Sequence, residues 1–410
     1  MNNNARQFTQ CLLFVLLVAL TVCPVEAADL KLFGTNMPPL EFHGFVSQGF
    51  LATTKYNYLG SDTKDGSFKF TEAGLNMALN PFPRTRIAVQ AFTYDIGEQG
   101  RYDVVLDYAS IQYTVNDYFG VRAGRIRRPQ GIYNDIQDVD LARTFVLLPQ
   151  GMYDARYRDF YCTVDGGEFF GSIPLSQAGS LSYEAYAGLI HIAMDGGVAE
   201  QIKSDFYPAP GNLAYLVDIN QSIMGGIQLW YSPPIEGLRF GISENYISGL
   251  SYDVYVSPAV GGPGAEHAYG NIFAQCYSLE YVWRNWTFQS EYFCYSPSVD
   301  GYAAGRNLGS VVTSPDSWYI SAAYRFNRWL EVGSYYTEYY EDITQRGNPL
   351  DYQKDAALTV RFDPKPWWTF KVEGHFIRGT GLLHDPDNNP PPQQGDQGWF
   401  MILVKTTFSF

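Results

Sequence analysis

Between positions 122 and 158 the chain sets seven arginines, Arg122, Arg125, Arg127, Arg128, Arg143, Arg156 and Arg158, against four acids, Asp135, Asp138, Asp140 and Asp154. The window is cationic in a chain whose formal net charge is −14. Guanidinium groups stay charged at any working pH and hold carboxylate or phosphate through two parallel hydrogen bonds. Two chemistries follow from that. On the wall of a narrow aqueous passage the arginines would lower the barrier for anions. Turned toward the acids, they would pin the segment 129–157 to whatever carries residues 122–128. Both readings stay open on the sequence.

The elements that must position these residues are strands. Apolar–polar alternation read together with turn residues predicts strands over 40–53, 67–79, 85–95, 103–114, 118–128, 158–173, 180–192, 221–231, 238–249, 272–283, 286–296, 316–326, 329–340, 352–362, 367–379 and 398–410. The joints between them alternate strictly. Short ones such as Asn80–Arg84, Arg284-Asn285, Asn327-Arg328 and Asp363–Pro366 are interleaved with mostly longer segments rich in Gly, Pro, Asp and Asn, of which 129–157 is the longest. An even number of strands, short turns on one side and long loops on the other are the signature of an all-β transmembrane antiparallel barrel. The faces agree. Leu238, Phe240 and Ile242 alternate with Arg239, Gly241 and Ser243, and Tyr277, Leu279 and Tyr281 with Ser278, Glu280 and Val282, so one set meets lipid and the other a wet lumen. Aromatic residues make up 16% of the chain, and many flank the short turns, where a barrel carries its interfacial belts.

Arg6, the apolar run from Cys11 to Val22 and the small residues around Val25-Glu26-Ala27 predict an export signal over 1–27, cleaved after Ala27. Residues 28–39 would form a periplasmic segment before a barrel over 40–410. Beyond residue 27 no apolar run reaches the ~18–20 residues a membrane helix needs. Cys162, Cys276 and Cys294 form no disulfide framework and no Cys/His spacing suits a metal. By strand parity Cys276 and Cys294 face opposite sides, which predicts free thiols. The acidic balance argues against nucleic acid as a partner.

The pattern GVRAGRIRRPQGIYND at 120–135 resembles bacterial porins, in particular the family that includes phosphate-selective porins. The likeness extends loosely through EAGLN at 72–76, LDYASIQY at 106–113 and KVEGHFIRG at 371–379. The closing FMILVKTTFSF similarly resembles the last strand of bacterial outer-membrane barrels. The resemblance implies sixteen strands in the outer membrane, a homotrimer, and a third outer loop, 129–157, that folds into the lumen and narrows it. The residues expected to line that constriction are Arg122, Arg125, Arg127, Arg128, Asp135, Asp138, Asp140, Arg143, Arg156 and Arg158. Simple pleating would aim Arg125 and Arg127 at lipid, so a bulge at Gly124 is expected to turn Arg122, Arg125 and Arg127 inward and Ile126 outward. Lys371, Glu373, His375, Glu280 and Glu291 read as a generic polar lining. The chain has few lysines and no dense basic run outside 122–128, so phosphate specificity gains no support.

The function expected is passive diffusion of small hydrophilic solutes, with a lean toward anions at the constriction, no reaction and no cofactor, in contact with outer-membrane lipids. Two other readings remain. A barrel can sheathe an electron-transfer partner that brings its own haem. A barrel hydrolase would need a nucleophile beside one of His43, His191, His267, His375 or His384, and none stands in a matching catalytic context.

Overall fold

A computed structural model of the chain describes residues 40–97, 99–205, 214–256, 265–303, 306–383, 387–388, 392 and 398–410. The expected export signal, the segment 28–39 and His384 lie outside them. Eighteen strands are numbered here in chain order: β1 (Glu41–Thr53), β2 (Phe70–Phe82), β3 (Thr85–Ile96), β4 (Val104–Asn116), β5 (Phe119–Arg127), β6 (Thr163–Pro174), β7 (Ser180–Ile190), β8 (Ala214–Ile219), β9 (Ser222–Ser232), β10 (Leu238–Val256), β11 (Ala265–Trp283), β12 (Trp286–Ala303), β13 (Arg306–Val312), β14 (Asp316–Asn327), β15 (Leu330–Tyr340), β16 (Tyr352–Lys365), β17 (Trp368–Gly379) and β18 (Trp399–Ser409). Two short helices, α1 (Arg158–Tyr161) and α2 (Gly197–Asp205), lie in connections.

Sixteen of the strands form a closed antiparallel barrel, and β8 and β13 pair instead with the far ends of β10 and β12. Closure is made by β18 on β1, in register from Phe45 opposite Ser409 to Thr53 opposite Met401. The last residue takes part: Phe410 and Gly44 exchange backbone hydrogen bonds of 3.0 and 3.1 Å. A bilayer core offers no water to an unpaired strand edge, so a sheet that crosses it must return on itself.

Burial runs opposite to that of a water-soluble protein. Val104 is 75% exposed, Leu358 57% and Phe400 56%, while Thr359, Lys371, Lys405 and Thr407 are buried. The alternation along each strand sorts these two sets onto opposite faces, an apolar band outside and polar side chains within. Phe240, Tyr277, Leu279 and Trp283 stand exposed on the outer face as expected. Cys276 is buried and faces Phe293, whereas Cys294 is opposite Gln275, so the two thiols point to opposite faces and are free.

The expected strands all form, with three departures. Residues 158–161 are helical and β6 starts only at Thr163. Strands β10, β11 and β12 run far beyond the expected ends, because Leu250–Tyr255 pairs with Ala265–Gly270 and Ile272–Glu266 continues against Pro297–Ala303. Alternating Tyr, Val and Ala in those segments keeps the ladder going where Gly and Pro nearby suggested loop.

The third departure is at Gly124. The ladder from Gly120 to Arg127 runs against β6 without a shift, so there is no bulge there. Gly124 instead adopts φ +123°, and the inserted residue lies next door in β4, where Asp107 is skipped between the pairs Gln90–Tyr108 and Ala91–Leu106. With pleating unbroken, Ile126 turns inward, buried with Phe160, Val164, Tyr186 and Met224. Arg125 turns outward: it pairs with Ala109 and Asp165, Asp165 with Leu189, and Leu189 with Ile223, the last two exposed apolar residues. Asp165 meets its guanidinium in two bonds of 2.6 and 2.8 Å. Arg125 lies two residues from the outer end of β5, where an outward charge costs only ~0–1 kcal/mol.

A methyl group at Gly124 would fall 2.2 Å from the Ala109 carbonyl oxygen. Gly124→Ala should therefore destabilise the barrel by about 1–3 kcal/mol, read as a lower urea midpoint of the protein refolded in lipid vesicles. An unchanged midpoint would contradict the strained conformation.

Candidate functional site

The loop joining β5 to α1, residues 128–157, is held by carboxylates at both ends and along its length. At its root Asp107 of β4 and Asp138 of the loop share two guanidinium groups. Arg127 bonds both, and Arg158 Nη2 reaches Asp107 at 2.7 Å and Asp138 at 2.6 Å, with its Nε donating to Asp138 at 2.8 Å. The Arg158 guanidinium also lies 3.9 Å above the Phe92 ring. Burial alone would raise the Asp138 carboxyl, but Arg127 and Arg158 hold it well below the usual range.

Farther along, Asp140 is fully enclosed, 3.0 Å from Lys371 Nζ, 3.4 Å from Lys405 Nζ and 3.7 Å from Arg143, and it accepts a 2.8 Å bond from Thr407. Here too burial opposes ionisation, and Lys371, Lys405 and Arg143 overcome it. Lys371 spends its other protons on the carbonyls of Asp140 and Arg143, at 2.7 and 2.8 Å. Lys405 is also bonded to Glu72 of β2. Next, Glu373 of β17 accepts the backbone N–H groups of Val146 and Leu147 at 2.7 and 2.8 Å. Its other neighbours are Thr359 and His375, and Asp355 holds the opposite His375 nitrogen at 2.8 Å. Val146 and Leu147 pack among Leu51, Phe70, Phe92, Trp399 and Leu403.

Glu291 of β12 gathers Ile132 N–H at 2.9 Å, the Tyr153 and Tyr319 hydroxyls at 2.6 and 2.7 Å and Ser278 at 2.6 Å. Gln228 of β9 donates to the Gly131 carbonyl at 2.9 Å. These bonds tie the loop to strands around most of the ring. A buried charge is tolerable only when paired and hydrogen-bonded in this way.

The structure thus brings together Arg127, Asp138 and Arg158 in one cluster and Asp140 and Arg143 in another. Arg156 stands apart, bonded within the loop to Asp154 at 2.5 Å. Arg128 is buried against the Met224 sulfur and the Tyr161 ring, and its Nε and Nη2 have no hydrogen-bond partner among the described residues. Arg122 bonds Glu168 at 2.9 Å and Gln112 at 3.1 Å. Asp135 is exposed, although barrel wall and loop surround it; this enclosure and Glu184 push its carboxyl up against the pull of Arg127 and Arg122.

Lys371, Glu373 and Glu291 are therefore loop anchors and not a generic lining, and His375 holds Glu373 in place from the wall. Glu280 does behave as lining, bonded to Arg239 at 2.7 Å. The sequence reading passed over Asp107, Glu168, Glu184 and Lys405. Lys405 lay on the polar face of the closing strand, which was a usable signal; Asp107 was masked by the β4 insertion.

No family model and no curated protein matches the sequence. Among solved structures, the outer-membrane expressed OmpT of Vibrio cholerae is similar at TM-score 0.56 and 10% identity, over 93% of this chain and 100% of that one. OmpF of Salmonella typhi, in complex with daunomycin, gives 0.55 and 13% over 91% and 98%. An anion-selective porin from Comamonas acidovorans gives 0.51 and 10% over 90% and 99%. At these identities the likeness is one of fold: this chain has the sixteen-stranded barrel of outer-membrane proteins.

Asp138 and Asp140 carry depressed carboxyls, so their contribution to stability is complete above the unfolded value of about 4 and lost as pH falls through the lower folded values. Heat-unfolding midpoints in detergent should owe no loss to these groups between pH 8 and about 5, and decline below about 4. Asp140→Ala, which leaves Lys371 and Lys405 underpaired, should cost about 3–5 kcal/mol at pH 7. A midpoint as high as that of the parent would show that the lysines are compensated elsewhere.

Proposed function

We propose that the chain is an outer-membrane porin, a passive channel for small hydrophilic solutes, whose lumen is narrowed by residues 129–157. The observation that carries this is the anchoring of the loop on Gln228, Glu291, Lys371, Glu373 and Lys405, polar side chains on the face away from the apolar band. A loop tied to that face of the barrel reduces its cross-section without any moving part. The same contacts weigh against a sheath, which needs the lumen for its partner. A hydrolase gains nothing from His375, whose two ring nitrogens are both engaged by Asp355 and Glu373.

The lean toward anions has less behind it. Arg127, Arg143, Arg156 and Arg158 are enclosed in ion pairs, so we assign them, with Asp138 and Asp140, to bracing the constriction; Arg125 lies on the outer face, paired with Asp165. Arg128 is buried under Tyr161, so Arg122 and Asp135 remain as the part of the predicted set that can act on a passing solute. Assembly as a homotrimer fits an outer-membrane barrel of this size, and Vibrio cholerae OmpT has a trimer form.

Reconstituted in liposomes, the protein should admit small sugars at rates that fall steeply with solute size, as osmotic swelling reports. Liposomes that swell no faster than protein-free controls would overturn the channel reading.

A further inference from the structure

Between the loop's root on β5 and its anchor at Gln228 on β9, the wall carries two carboxyl groups that no ion pair fully accounts for. Glu168 on β6 is completely buried, and its Oε2 bonds Arg122 at 2.9 Å. Its Oε1 has no donor among the described residues. What lies within hydrogen-bond reach is a second carboxyl, that of Glu184 on β7. Both residues sit on the inward face, since Glu184 pairs with Phe170, two residues along from Glu168, and Arg122 stacks on the Phe170 ring at 5.2 Å. Gln228, opposite Glu184 on β9, gives its amide protons to Gly131 and Ser243 and leaves none for Glu184.

Two carboxylates in contact with no donor between them repel strongly, and a single shared proton turns that repulsion into a short hydrogen bond. We infer that Glu168 and Glu184 share one proton on the lumen wall beside Arg122 and Asp135, and that loss of this proton makes the channel more cation-selective as pH rises. The inference rests on the porin reading and names its discriminating residues. With the proton present, the pair carries one negative charge, which Arg122 cancels; the Asp135 carboxyl, pushed up to about 7 by its enclosure and by Glu184, titrates over the same range. When the proton leaves to water, both carboxyls are ionised and the wall gains a full negative charge.

The charged and titratable groups that face this pair are Arg122 from β5, Asp135 from the loop and Tyr186 on β7, with Arg127 and Arg128 acting on Asp135. The arginines beyond Arg122 cannot offset the new charge by moving closer, because Arg127 is held by Asp107 and Asp138 and Arg128 is packed under Tyr161. The solute class favoured at high pH is therefore cationic, from inorganic cations to small amines.

The test is the reversal potential of the full-length protein in planar bilayers under a KCl gradient, from pH 5 to pH 9. The cation-to-anion permeability ratio should rise by roughly two- to fivefold, the effect of one unit charge at about 8 Å in water. Glu184→Gln, which keeps the Arg122–Glu168 pair intact, should conduct normally and keep only the smaller part of the rise that Asp135 supplies. Asp135→Asn should lower the ratio at high pH and keep a rise. A ratio independent of pH, or a rise of the same size in Glu184→Gln, would overturn the shared proton while leaving the porin intact. Absence of conductance would instead strike at the porin reading itself.

Discussion

Every backbone N–H and C=O that enters hydrocarbon must find its partner within the protein, and the rest of this structure follows from that requirement. It forces the sheet to close, and β18 on β1 is the seam that closes it. Closure fixes which side chains look inward, because side chains alternate and a strand has only two faces. An aliphatic face is then spent on lipid and the polar face has nowhere to go but the lumen. Lys371, Glu373 and Lys405 are buried polar groups for this reason, and as such they need partners.

The loop after β5 supplies those partners. Asp140 answers Lys371 and Lys405, the amides of Val146 and Leu147 answer Glu373, and the Ile132 amide with the Tyr153 hydroxyl answers Glu291. Wall and loop thus satisfy each other, and removing either would strand charge in a low-dielectric interior. An arginine-rich window is in this light mostly an answer to nearby acids. The charge left for a passing solute comes from a smaller set around Arg122, Asp135, Glu168 and Glu184.

Much of the fold could be read from the chain because a barrel strand states its own faces. Leu238–Ser243 or Tyr277–Glu280 alternate cleanly, and the hairpins at Arg284-Asn285 and Asn327-Arg328 mark their own ends. Where reading failed, the cause was local or distant. At Gly124 a positive φ and an insertion in the neighbouring strand leave traces in sequence that look alike, so Arg125 was turned to the wrong side. Beyond the outer rim, glycine and proline hid the pairing that extends β10, β11 and β12. The partners Asp140 and Lys371 are 231 positions apart, and no period or motif links a loop acid to a lysine at that separation. The ion-pair windows were legible as chemistry; which acid met which base was not.

The central claim is that the anchored loop sets the width of the channel. Single-channel conductance in planar bilayers, compared between the parent protein and a Glu291→Ala/Glu373→Ala variant shown to be folded, tests it most directly. Freed of both carboxylates, the loop should loosen at Ile132 and at Val146–Leu147, and the variant should show a larger or strongly fluctuating conductance. Identical, quiet conductance in the two proteins would contradict the account.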